Sequence, residues 1–237
     1  PGHVDFSYEV SRSLAAVEGV VLLVDASKGV QAQTLANLEL AKNQNLVVIP
    51  VVNKIDLAQA RIEEAVEELA NLLKVSNSEI IKVSAKLGTN VEQVLKEIIK
   101  KIPQPKGNSD KPLRALIFDC EYDSYKGVIA YVKIVDGKIK SGDSIYLLQT
   151  QTKGEAKEIG CFIPQPFPKI EITAGEIGYI ATGIKEAGRV RVGDTITSHL
   201  AAKPLSHLVE PLPGYKEPQP MVFTSFYPDM GFSPLLL

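Results

Sequence analysis

The apolar run Leu46-Val47-Val48-Ile49-Pro50-Val51-Val52 stops abruptly at Asn53-Lys54-Ile55-Asp56, and this junction constrains the chain more than any other segment. A stretch with no polar residue on either face reads as a strand of a parallel sheet that helices cover on both sides. A polar cluster straight after such a strand lies outside the carboxyl end of the sheet, where open α/β sheets bind their ligands.

The cluster has a definite chemistry. Guanine differs from adenine at its N1–H and N2–H₂ edge, and a carboxylate such as Asp56 accepts both hydrogens. Asn53 would complement the O6/N7 side, and the methylene stem of Lys54 can lie flat on the purine ring. A site that hydrogen-bonds a polar edge rejects analogues strongly, because its own groups would be left unpaired. Alone, the motif could be a polar turn. However, Ser84-Ala85-Lys86 follows a second apolar stretch, Ile80-Ile81-Lys82-Val83, and brings a backbone N–H towards the guanine O6. Two loops at neighbouring strand ends converge on one base.

Pro1-Gly2-His3 supplies a third element. Gly2 lacks a Cβ, so backbone can approach a γ-phosphate closely. His3 would stand near the attacking water. Phosphoryl transfer depends on positioning and charge stabilisation, so one such side chain carries weight.

The hydrophobic period changes once along the chain. After a helix from Ser7 to about Glu18, the strand Val20–Val24 is closed by Asp25. A helix over Gln31–Gln44, the Leu46 strand, a helix over Arg61–Leu73 and a last helix marked by Val91, Val94, Leu95, Ile98 and Ile99 follow, up to Pro103. Gln104–Pro112 is a polar connector. Beyond it come short strands at Arg114–Tyr122, Lys126–Val135, Ser144–Gln149, Glu155–Ile163, Gly178–Ile184 and Thr195–Thr197, with turns such as Asp136-Gly137. This predicts an antiparallel barrel over 113–202. A proline-rich linker (203–220) then leads to a strand at Met221–Tyr227, the start of a third α/β domain over 221–237.

In this order the motifs resemble those of the translational GTPases. Pro1-Gly2-His3-Val4-Asp5-Phe6 is similar to their third motif, Asn53–Asp56 to the fourth and Ser84–Lys86 to the fifth. Leu113–Asp119, Tyr122–Val128 and Pro211–Phe223 resemble the LepA, or elongation factor 4, branch. Gly231–Leu237 departs from it. The resemblance implies a partial α/β P-loop GTPase domain over 1–103, followed by the barrel. It also implies GTP as substrate, with Mg²⁺ held through residues missing here, since no Gly-x-x-x-x-Gly-Lys-Ser/Thr loop occurs. His3 would be catalytic, and Gly2, Asn53, Lys54, Asp56, Ser84, Ala85 and Lys86 would bind GTP. The implied role is a ribosome-associated GTPase of elongation fidelity, acting on tRNA-bearing elongation complexes by back-translocation. It would be a cytoplasmic monomer that contacts the inner membrane face peripherally; a mitochondrial-matrix homologue is the alternative. The chain reads as an internal fragment that neither holds nor hydrolyses GTP well. The competing readings are another ribosomal GTPase, such as elongation factor G, and a non-catalytic module whose barrel docks on ribosomal RNA.

Composition only sets bounds. With 45% apolar residues the 237-residue chain can bury real cores, and it has no run of 18 apolar residues. A net charge of −2 gives no bulk basicity for nucleic acid. Cys120 and Cys161 read as reduced thiols, and His199 and His207 suggest no metal site. Glu63, Glu64, Glu67 and Glu68 read as a solvated helix face. Lys96, Lys100 and Lys101 suit a helix C-terminus, and the family resemblance makes Lys126-Gly127 a candidate ribosomal contact.

Overall fold

The computed structural model describes residues 7–198 and 209–213. Gly2, His3, most of the 203–220 linker, the Met221–Tyr227 strand and His199 and His207 lie outside them.

The first part alternates α1 (Ser7–Ala15), β1 (Gly19–Asp25), α2 (Ala32–Asn43), β2 (Val47–Asn53), α3 (Ile62–Leu73), β3 (Ile81–Lys82) and α4 (Val91–Lys101). The strands form a parallel sheet in the order β1-β2-β3. Ile49, Pro50, Val51 and Val52 of β2 are all buried, as a strand covered on both faces requires. On one face Val52, Leu22 and Val24 pack with Ala65, Val66 and Leu69 of α3. On the other, Ile49, Val51 and Ile81 meet Val94 and Ile98 of α4.

Pro50 in a central strand runs against the usual confinement of proline to edges. The register explains it. Val52 C=O accepts from Val83 N (2.8 Å), whereas Asn53 C=O accepts from Ala26 N (2.8 Å). Even-numbered residues of β2 therefore face β3, whose pairing starts only at Val51↔Ile81. The missing N–H of Pro50 points past the beginning of β3, and no ladder bond is lost. At the other flank β1 is the outermost strand among the described residues, with Val21 and Leu23 37% and 55% exposed.

Apart from one 3-10 turn at Ala187–Arg189, the second part is built of strands: β4 (Arg114–Asp123), β5 (Gly127–Asp136), β6 (Lys138–Lys140), β7 (Ser144–Leu147), β8 (Thr152–Glu155), β9 (Glu158–Ile163), β10 (Gln165–Lys169), β11 (Glu171–Thr173), β12 (Ile177–Ala181) and β13 (Thr195–Ser198). Eight of them make an antiparallel sheet in the order β10-β9-β12-β5-β4-β13-β7-β8, and β6 pairs with β11. The sheet curls until the β8 end meets β12: Glu155 N–H donates to Thr182 C=O (3.2 Å) and Lys157 N–H to Ala181 C=O (2.9 Å). Ala115, Ile117, Val132, Ile134, Ile180 and Ile196, all at 0% exposure, fill the interior. This is a barrel built from one strongly curled sheet.

Several predicted boundaries move. The first helix ends at Ala15, and tight turn bonds carry the chain through Val17 into β1. The expected strand Glu155–Ile163 is two strands, broken where Ala156 turns inward and bonds to Asp143 C=O. β10 was not anticipated, because Pro166 and Pro168 argue against a strand. It survives as an edge strand, where alternate N–H groups need no partner. Within the expected linker, Val209 and Leu212 are buried, and Leu212 N–H donates to Thr195 Oγ1 at 2.9 Å.

The two parts are tied together by charge. Arg12 Nη1 of α1 bonds Asp119 Oδ1 of β4 at 3.0 Å, and Glu18 pairs with Lys133 of β5. Cys120 and Cys161 are free and half-buried, and burial pushes the Cys120 thiol pKa up.

Inside the barrel, β12 crosses β9 with no room for a side chain. A Cβ on Gly178 would stand 2.1 Å from the Gly160 carbonyl oxygen, whereas one on Gly188 would meet nothing within 4 Å. Gly178→Ala is expected to destabilise the chain by about 1–3 kcal/mol, and Gly188→Ala by less than about 0.5 kcal/mol. Urea midpoints of the two variants check this.

Candidate nucleotide-binding site

The three strand ends are cross-tied on both sides of β2. Asn53 closes β2 directly opposite Asp25, which closes β1. On the β3 side, Asn53 Oδ1 accepts the Ala85 N–H (3.0 Å), and Asp56 Oδ1 accepts the Ser84 hydroxyl (2.6 Å). Ser84, 1% exposed, uses its hydroxyl twice, for its oxygen also accepts Leu87 N–H at 3.2 Å. Ser84 N–H bonds Thr89 C=O at 3.1 Å, closing the loop on itself. Asn90, left-handed at φ +58°, begins α4 and donates from its side chain to Lys82 C=O.

On the β1 side the partner is Lys54. Its backbone is left-handed (φ +64°), and its Nζ reaches Asp25 Oδ2 at 2.7 Å. Asp25 Oδ1 in turn accepts Ser27 N–H (2.9 Å) and Ser27 Oγ–H (2.7 Å).

Both carboxylates are held ionised. The Lys54 ammonium, seconded by the Ser27 bonds, lowers the Asp25 pKa to about 2. The Ser84 hydroxyl lowers that of Asp56, with Lys86 and Lys54 adding through their charges. An exposed, oriented carboxylate beside a loop of backbone amides is a donor–acceptor set suited to a purine edge that carries N–H groups and a carbonyl.

The structure thus gathers Asn53, Lys54, Asp56, Ser84, Ala85 and Lys86 at one end of the sheet, and Gly2 and His3 lie outside the described residues. Of the Ser84–Lys86 loop, expected to bring a backbone N–H to the base, the Ala85 N–H is bonded to Asn53. Asp25 and Ser27, which the sequence reading leaves outside the candidate site, join the cluster through Lys54. Their one signal in the sequence is that Asp25 closes its strand as Asn53 closes the next. Among the described residues no group of three or more His, Cys, Asp or Glu side chains could hold a metal ion.

The other charged clusters stay at the surface, where the acidic face of α3 is exposed as expected, and pair locally. Glu63 pairs with Lys82, Glu64 with Arg61, and Glu68 accepts Val30 N–H. Lys96 pairs with Glu92, while Lys100 and Lys101 pair with Glu97. Lys126 grips both oxygens of Glu158.

A three-stranded parallel sheet with a polar cluster at its strand ends, followed by a curled barrel, is the domain arrangement of translation-factor GTPases. The chain matches the family model of the elongation factor Tu GTP-binding domain over residues 1–104 and that of elongation factor Tu domain 2 over 127–197. It belongs to the translational GTPases. It is 52% identical over 231 residues to elongation factor 4 of Thermobifida fusca, covering 98% of this chain and 37% of that protein. To elongation factor 4 of Thermotoga maritima it is 52% identical over 230 residues, 97% of this chain and 36% of that protein. The chain therefore spans little more than a third of the length of these relatives. Among solved structures, translation elongation factor SelB from Methanococcus maripaludis, in complex with the GTP analogue GPPNHP, has a TM-score of 0.69 at 23% identity, covering 84% of this chain and 45% of that one. A bacterial selenocysteine-specific elongation factor, EF-Sec, has a TM-score of 0.68 at 24% identity, over 83% and 34%. These two likenesses concern the fold.

Ser84→Ala is expected to let the Asp56 pKa climb back towards its ordinary 3.8, read by NMR titration of the carboxyl carbon. Because the folded-state pKa is depressed, the stability that the Ser84 bond confers is present above about pH 4 and is lost as pH falls below it.

Proposed function

We propose that the chain carries the base-reading side of the GTP site in a ribosome-dependent GTPase of the elongation factor 4 type. The observation that supports this most is the Ser84–Asp56 bond of 2.6 Å, which fixes an ionised carboxylate outside the strand ends. Asp56 accepts guanine N1–H and N2–H₂. The Ser84–Lys86 loop, braced by Asn53 through the Ala85 N–H, completes the base pocket. Lys54 lays its stem against the ring.

Gly2 and His3 are assigned to the γ-phosphate and the attacking water. Hydrolysis then depends on His3 orienting that water once the ribosome orders the site. The barrel at 113–202 is the docking element towards ribosomal RNA and protein. The reading extends to elongation fidelity, by back-translocation of tRNAs, in the cytoplasm. GTP is the substrate, and phosphates and Mg²⁺ are assigned to residues beyond those described.

Both roles can be tested in this chain extended to the length of its elongation factor 4 relatives. Asp56→Asn is expected to turn preference from GDP towards XDP, because the carboxylate acceptor becomes partly a donor. Unchanged preference in a competition titration sinks the assignment of Asp56. His3→Ala is expected to lower ribosome-stimulated hydrolysis by roughly a hundredfold or more while leaving GDP affinity within about twofold. Unaltered turnover counts against His3.

A further inference from the structure

Lys54 has two carboxylates within reach of its loop. Asp56 lies two residues further on and feels the Lys54 charge, yet the ammonium crosses to Asp25 on the neighbouring strand, 2.7 Å away. The crossing is built into the backbone. Lys54 sits at φ +64°, a conformation that side-chain-bearing residues adopt sparingly, and this directs the chain towards β1. Asp25 waits there already oriented, its Oδ1 bonded by both the amide and the hydroxyl of Ser27. Asp25 is 19% exposed and Lys54 53%, so the lysine head is clamped while its stem stays open to a ligand.

We propose that Asp25, steadied by Ser27, is a positioning residue of the nucleotide site. It draws the Lys54 ammonium away from Asp56 and so keeps the base-reading carboxylate free for guanine, with the lysine stem held as a fixed wall for the purine. The inference rests on the guanine reading above. Without Asp25, the nearest anion left to Lys54 in its own loop is Asp56. An ammonium bonded there would compete with N1–H and N2–H₂ for the same oxygens. A freed lysine would also have to be ordered by each incoming nucleotide, a cost corresponding to roughly three- to tenfold in affinity.

The test uses the chain extended to the length of its elongation factor 4 relatives, titrated calorimetrically with GDP and with IDP, which lacks the 2-amino group. Asp25→Asn is expected to weaken GDP binding roughly three- to tenfold and to narrow the GDP-over-IDP preference. In a Lys54→Met background, which keeps the stem and removes the charge, Asp25→Asn is expected to change neither quantity further. Ser27→Ala removes one support of Asp25 but leaves the ion pair. It is expected to show a smaller loss in the same direction, and it serves if Asp25→Asn fails to fold. GDP binding as tight as wild type in the Asp25 and Ser27 variants, or an equal loss with and without the Lys54 charge, overturns the proposal. Failure of the guanine reading shows separately, as a wild-type protein with no preference for GDP over IDP or ADP, and it takes the inference with it.

Discussion

The site depends on β2 lying in register between two parallel neighbours. Because β1 and β2 pair residue for residue from Gly19↔Val47 to Asp25↔Asn53, both strands end at one level. The polar residues that close them emerge side by side. Ser84 comes off β3 one turn of loop away, close enough for its hydroxyl to reach Asp56. Buried packing of Ile49, Val51 and Val52 against α3 and α4 fixes the strand. The site is therefore a consequence of core packing: a slip of one residue would turn each β2 side chain to the opposite face and separate Asn53 from Asp25.

From that frame the electrostatics sort themselves into two directions. Lys54 leans towards β1, while Asn53 and Asp56 lean towards the β3 loop. Opposite charges are thus satisfied locally without covering the carboxylate that faces outward. The same economy holds elsewhere, since the acidic face of α3 and the lysines of α4 are largely paired within the fold. The barrel is joined to the sheet through Arg12–Asp119 and Glu18–Lys133. Both ties start from α1 or the turn after it, the helix that follows Pro1-Gly2-His3 in the sequence.

Much of this was legible in the residues. The change from helical to alternating period marked where the helices stop, and a carboxylate three residues past the end of β2 marked the candidate base site. Other parts left no trace. Pro166 and Pro168 argue against a strand by composition, and only the edge position of β10 makes them acceptable. Pro50 is tolerated for a different reason, the late start of β3, which no local pattern announces. The Asn53–Ala85 and Lys54–Asp25 ties link residues 32 and 29 positions apart. Such bonds follow from strand register, not from spacing along the chain, so Asp25 was seen as the end of a strand and not as part of a site.

In the proposed site a carboxylate fixed by Ser84 reads the guanine edge. Comparing GDP with IDP in the wild-type protein, extended to the length of its relatives, tests it most directly. The two nucleotides differ only by the 2-amino group that Asp56 is assigned to hold. Loss of one hydrogen bond to a charged group corresponds to roughly ten- to a hundredfold weaker binding of IDP. Equal affinity for the two rules out that role of Asp56.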